Sequence, residues 1–291
     1  MRAMTQSPLL PYFDFILAML SQENRAVETC FGRHVHFGYW SNPKEAGADE
    51  GDYARAAERL TRELCEAGSI ASGESVLDAG CGFGGTLTHL NENYRNMRLV
   101  GINLESRQLD RARRLVHAMP DNRLEFHHGD ACALPFADAS FDRVLAVECV
   151  FHFPSREQFL REAFRVLKPG GTLALSDFLP ARLFRPLAVA ATEAPMLARF
   201  QYFGRCNLGY TAATYRSVAS QIGYEPVLAR NVTRNVLPTY QHLKHLLAGA
   251  AAIEGITGPI VRFMDALRFL SGAGLLNYYV VGLRKPAPKS G

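Results

Sequence analysis

The stretch Val76-Leu77-Asp78-Ala79-Gly80-Cys81-Gly82-Phe83-Gly84-Gly85 decides how this chain folds. An apolar run from Ser75 that ends on an acid and breaks into closely spaced glycines reads as a short buried strand turning into a helix near Thr86. Glycine permits positive φ and lets a ligand lie against the main chain. Free N–H groups at a helix start favour an electron-rich partner. The stretch therefore reads as a cofactor loop. Gly80-x-Gly82-x-x-Gly85 also fits the dinucleotide fingerprint. Asp78 and the additional Gly84 argue otherwise, because a carboxylate beside a pyrophosphate is repelled, whereas one beside a positively charged ligand is welcome.

Downstream, Arg98 to Asn103 reads as a second strand and Leu124 onward as a third that ends in Gly129-Asp130. Phe141 to Glu148 reads as a fourth. Ser155-Arg-Glu-Gln158 opens a helix as a capping box. Phe159, Leu160, Ala163, Phe164 and Leu167 form one apolar face of that helix, and Lys168-Pro-Gly-Gly171 ends it before a fifth strand, Thr172 to Asp177. With the glycine loop, Asp130 and the Lys-Pro-Gly-Gly junction in this order, the chain resembles the class I S-adenosylmethionine-dependent methyltransferases over roughly residues 75–178. The resemblance implies an α/β fold: a Rossmann-like, seven-stranded, mostly parallel sheet with helices on both faces. An N-terminal helical lid and a second lid inserted after the fifth strand would complete it.

Three segments are expected. Residues 1–68 form an N-terminal helical lid, with one amphipathic helix over 8–30. Residues 69–284 form the methyltransferase domain, with a substrate lid near 179–210 and a helical insertion near 239–271. Residues 285–291, rich in Pro and Lys, form a flexible tail. Pro226 to Val232 reads as the sixth strand and Leu276 to Leu283 as the last, antiparallel beside it.

The resemblance also implies a cofactor set for S-adenosylmethionine: Asp78, Gly80, Gly82 and Gly84 at the loop, Asn103 toward the ribose, Leu104 and Gln108 beside the adenine, and Asp130 with Ala131 at the adenine edge. A carboxylate accepts what the exocyclic amine donates. Related enzymes most often carry an acid where this chain has Asn103, which weakens that one assignment, although Glu105 follows closely. Asp130 also reads as a turn former before Pro135.

Methyl transfer needs the acceptor held in line with the sulfonium methyl, and a base when the acceptor is a hydroxyl. His152, just after the fourth strand, stands at the carboxyl edge where open sheets bind ligands, and an imidazole suits proton transfer near neutrality. In natural-product and sugar O-methyltransferases a Glu-x-x-x-His-x-Pro segment occupies this place, matching Glu148, His152 and Pro154, and an acid matching Asp177 is implicated in some. His152, Asp177 and Glu148 are thus the catalytic candidates, Glu148 also as a cofactor contact. A packing or capping role is the plain alternative for His152. His36, Tyr39 and Trp40, in a His-x-Gly-x-Trp stretch, and Phe200, Tyr202 and Phe203 are the substrate-lid candidates, with ordinary packing of Trp40 the competing reading.

Composition excludes several classes. The net charge of +4 on 291 residues, with basic and acidic residues interleaved, gives no nucleic-acid surface. The six cysteines form no Cys-x-x-Cys pair, which fits reduced thiols in a cytoplasmic protein. The apolar stretch from Pro8 to Leu20 is interrupted by Pro11 and Asp14, so neither a signal peptide nor a membrane span is expected. His34 and His36 lack a third ligand nearby, and no metal is expected. The expected partner is a small-molecule acceptor, with homo-oligomerisation left open and oxygen favoured over carbon or nitrogen as the methylated atom. Tyr240-x-x-x-Lys244 allows a nicotinamide-dependent reductase, but it falls well after the fifth strand. A non-catalytic nucleotide-binding protein is the remaining alternative.

Overall fold

In the computed structural model, which describes residues 11–193, 206–250 and 257–288, strand β1 (Ser75–Ala79) lies inside a seven-stranded sheet of order β3-β2-β1-β4-β5-β7-β6. β1 runs parallel to β2 (Arg98–Asn103) and to β4 (Phe141–Ala146); β2 runs parallel to β3 (Arg123–His128), and β4 to β5 (Leu167–Pro180). β7 (Leu276–Arg284) is antiparallel to both β5 and β6 (Glu225–Asn231), so the last strand enters between them.

Alternation along the central strands assigns their side chains to two cores. Leu77, Val144 and Ala146 face one side, with Phe159, Leu160 and Ala163 of α6 (Arg156–Val166) and Tyr215 and Ala219 of α8 (Ala212–Ile222). Val76, Leu145 and Ala174 face the other, with Leu60 and Leu64 of α3 (Glu50–Ala67) and Leu87 and Leu90 of α4 (Gly85–Asn93). Both faces are covered, as a parallel sheet requires. The second side is completed by α9 (Thr233–Val236), α10 (Thr239–Ala250) and α11 (Thr257–Gly272); α5 (Ser106–Leu115) links β2 to β3, and α7 (Arg185–Glu193) follows β5.

Two sequence expectations are corrected. The N-terminal helix is two helices, α1 (Pro11–Ser21) and α2 (Arg25–Phe31), because Glu23 takes a left-handed φ of 56° and the Asn24 side chain caps the second helix by accepting from the Val27 N–H. The fifth strand is longer than Thr172 to Asp177. Gly170 turns at φ 82°, and the Lys285 backbone pairs with Gly170 and Gly171, so the ladder to β7 runs past the glycines.

β1 and β4 are neighbours, and the chain leaves them toward opposite sides of the sheet. Their carboxyl ends therefore open the crevice where ligands bind in such sheets. The glycine loop follows β1, and Val147–His152 follows β4.

Candidate active site

The crevice holds a cavity of about 230 Å³. Gly80, Gly82 and Gly85 line its floor, Asn103, Leu104, Gln108, Asp130 and Ala131 one end, and Glu148, Cys149 and His152 the other. The N-terminal segment contributes Tyr12, Phe13 and residues 33–36 to its lining.

The loop needs its glycines. Gly80, Gly82 and Gly84 all have positive φ, of 80°, 53° and 80°. A Cβ on Gly80 would stand 2.7 Å from the Cβ of Cys149, while one on Gly82 would meet nothing nearer than Gln108 Oε1 at 3.8 Å, so bare backbone faces the cavity there. Gly84 ends the loop as the N-cap of α4, without a side-chain cap. A Cβ on Gly85 would fall on the Arg33 carbonyl oxygen and within 2.6 Å of His34 Nδ1, so residues 33–34 pack directly on the loop.

Asp78 is the electrostatic anomaly. It is 1% exposed, and neither carboxylate oxygen has a hydrogen-bond partner among the described residues. Burial pushes its pKa up to about 7. A buried acid left without donors costs stability. It fits a site completed by a cationic or hydrogen-bonding ligand, such as the ammonium-bearing end of S-adenosylmethionine.

At the far end, Asn103 donates through Nδ2 to Gln108 Oε1 at 2.8 Å and accepts from the Leu104 N–H at 3.0 Å, so the pair stands braced against the cavity. Asp130 accepts from the Cys132 N–H through Oδ1 at 2.8 Å, which is the turn role, and also lines the cavity. Glu105 lines it too while holding the Arg107 guanidinium and capping α5.

Glu148 sits in the left-handed region at φ 49°. A ring of bonds keeps it there: its N–H donates to Ser176 Oγ at 3.1 Å, and its Oε1 accepts from the Tyr278 hydroxyl at 2.6 Å and from the Phe37 N–H at 2.8 Å. Such backbone strain persists only where the surroundings over-determine it. Burial pushes the Glu148 pKa up to about 8, against the downward pull of its donors Tyr278 and Phe37. His152 ends the short turn Val150–His152, its ring 4.3 Å from Phe151 and stacked on Tyr12 at 6.2 Å, with Nδ1 4.0 Å from Cys206 Sγ.

Four sequence candidates stand elsewhere. Gly84 is not in the cavity lining, and a Cβ on it would meet Phe126 and Val116 at 3.2 Å. Trp40 is 2% exposed and donates through Nε1 to Asp52 Oδ2 at 2.7 Å; its backbone N–H bonds Asn235. Tyr39 donates its N–H to Ala56 and packs into the core on the α3 side. Both are pinned between α3 and the segment around α9, away from the cavity lining, because the chain passes there on its way to α3. Asp177, fully buried, does not line the cavity either. Arg156 grips both its oxygens, at 2.7 and 3.0 Å, and the Tyr215 hydroxyl donates to Oδ2 at 2.8 Å. Phe200, Tyr202 and Phe203 lie outside the described residues.

His36 does line the cavity, but as part of a buried network that pattern reading missed. Its Nε2 is 3.1 Å from His34 Nδ1, and His34 Nε2 is 2.6 Å from Glu58 Oε2, whose other oxygen meets His89 Nδ1 at 2.5 Å. Burial lowers the His36 pKa to about 3, keeping that ring neutral. The spacing of His34 and His36 was visible in the sequence; Glu58 and His89, on other helices, carried no signal. Among the described residues no group of three or more His, Cys, Asp or Glu side chains converges as metal ligands, and no helix is long and apolar enough to cross a membrane.

Residues 77–175 match the family model of the methyltransferase domain. The chain is 37% identical to methyltransferase GfsG of Streptomyces halstedii, over 75% of each chain. It belongs to the S-adenosylmethionine-dependent methyltransferases. It is 32% identical to the erythromycin 3''-O-methyltransferase of Saccharopolyspora erythraea, over 72% of this chain and 67% of that one. The fold matches that of a mycolic acid cyclopropane synthase in complex with S-adenosylhomocysteine at a TM-score of 0.74, with 17% identity, covering 95% of this methyltransferase and 99% of the synthase. S-adenosylmethionine is accordingly the cofactor, and the reductase reading of Tyr240 and Lys244 is set aside. The Tyr240 hydroxyl is buried against Ser271, and Lys244 pairs with Asp265.

Proposed function

We propose that this methyltransferase places a methyl group on a hydroxyl oxygen of a small natural-product-like acceptor, with His152 as the general base. The observation that carries the reading is that His152 and Glu148 line the same cavity as the glycine loop and Asp78. The similarity to an erythromycin 3''-O-methyltransferase supports oxygen as the acceptor atom.

Bound S-adenosylmethionine supplies an electrophilic methyl carbon. Asp78 holds the positive end of the cofactor, the bare backbone at Gly82 lets it lie close, and Asn103, Leu104, Gln108, Asp130 and Ala131 receive the nucleoside. Glu148, fixed by Tyr278, Ser176 and Phe37, orients the acceptor's polar group. His152 takes the hydroxyl proton as the oxygen becomes nucleophilic. Tyr12 and Phe13 cover the cavity and keep water from competing for the methyl group.

The test is His152→Ala. Turnover on a hydroxyl acceptor should fall by about 10²- to 10⁴-fold, the usual contribution of a positioned base. S-adenosylmethionine affinity should stay within a few-fold. Equal losses of turnover and cofactor binding would remove His152 from this role.

A further inference from the structure

Asp177 stands within β5, three residues before its end, where an acid could be taken for a proton acceptor, yet both of its oxygens are occupied. We infer that Asp177 and Arg156 instead form a positioning pair, which straps the segment Cys206–Thr211 onto the turn Val150–His152 and thereby sets how His152 meets the acceptor. This rests on the reading of His152 given above.

The geometry runs through Arg156. Its Nε and Nη2 are spent on Asp177, and its Nη1 donates to the Asn207 carbonyl at 2.5 Å. The N–H of the same Asn207 donates to the Phe151 carbonyl at 2.8 Å, beside His152. One residue of the strap is therefore held from both sides, by the ion pair and by the turn that carries His152. Cys206, the residue before it, brings Sγ to 4.0 Å from His152 Nδ1. The Arg156 guanidinium also lies over the Tyr210 ring at 5.3 Å, and Tyr210 meets Tyr215 edge-on at 5.4 Å. Thr211 closes the strap by capping α8 through the Thr214 N–H.

Energetics favour a positioning role over a purely stabilising one. Both side chains of the ion pair are fully buried. Taking two charges out of water consumes most of what their attraction returns, so such a pair is weak evidence for stability, while the rigid fork of arginine fixes geometry well. The strap is held through a main-chain carbonyl by the one nitrogen of Arg156 that Asp177 does not take.

The experiment uses full-length protein labelled with 15N-histidine and saturated with S-adenosylhomocysteine, so that no acceptor is needed. Ring resonances of His152, assigned with His152→Gln, are compared in the parent, in Arg156→Lys, and in the double variant Arg156→Met with Asp177→Leu. Lysine keeps a charge against Asp177 but loses the bond to Asn207; the double variant removes both charges together. In both, S-adenosylhomocysteine affinity should stay within about three-fold while the His152 ring signals shift or broaden. If the double variant fails to fold, Arg156→Lys alone decides. His152 signals at parental positions in a folded, ligand-binding variant would overturn the assignment. Because this readout does not depend on turnover, it is distinguishable from failure of His152→Ala to slow methyl transfer.

Discussion

Asp78→Asn should make the cofactor-free enzyme more stable at pH 8 while weakening its hold on S-adenosylmethionine. In the folded chain the Asp78 pKa is raised from 3.8 to about 7 by burial alone. A raised acid favours the folded state below its unfolded pKa, and this contribution is lost as pH climbs through the folded one, between about 4 and 7. The gap of roughly three pH units corresponds to about 4 kcal/mol by pH 8. An asparagine of the same shape avoids that ionisation penalty but leaves an amide without partners, at about 1–3 kcal/mol. The net gain should be about 1–3 kcal/mol in urea titrations of the ligand-free protein. Binding runs the other way. With the midpoint near 7, ionised Asp78 rises from about 3% at pH 5.5 to about 90% at pH 8, so parental affinity should improve about 30-fold, or about 2 kcal/mol, over that range. Calorimetric titration with S-adenosylmethionine at several pH values measures this directly, and the variant should lose the dependence. Parental affinity that stays flat with pH, or a variant that binds as tightly as the parent at pH 8, would refute the pairing of Asp78 with the cofactor's positive charge.

Other perturbations follow from the same geometry. Gly80→Ala should strain the backbone at φ 80° and press on Cys149, lowering the melting temperature through about 1–3 kcal/mol of strain and abolishing tight S-adenosylhomocysteine binding. Trp40→Phe should cost about 1–3 kcal/mol in chemical unfolding by depriving buried Asp52 of a donor, with cofactor affinity unchanged; weakened binding would return Trp40 to the cavity. Tyr278→Phe removes a donor that holds the Glu148 pKa down, so that midpoint should move above about 8, read from the 13C shift of the labelled carboxyl.

Legibility tracked the range of the interactions involved. The glycine loop, the strand periods and Asp130 are local patterns, and each lies close to where the sequence placed it, whereas the Lys-Pro-Gly-Gly segment falls inside β5 rather than ahead of it. The sequence was least informative where a residue's surroundings depend on a distant partner. Trp40 looked like a lid aromatic, but Asp52 and Asn235 draw it into the interior. Asp177 matched an acid implicated in catalysis in some related enzymes, but Arg156, from the helix before it, and Tyr215, far along the chain, occupy it. The break between α1 and α2 rested on one left-handed residue, Glu23, which apolar spacing does not report.

By itself the sequence determined the parallel α/β framework and the cofactor loop, because alternating apolar residues and obligatory glycines are consequences of backbone geometry. Only the tertiary structure decided which polar groups meet. Among the described residues it left Asp78 buried without a partner, joined Glu148 to Tyr278 and Phe37, and chained His36 through His34 to Glu58 and His89. Charge and hydrogen-bond pairing depend on distance in space, which the order of residues along a chain does not encode.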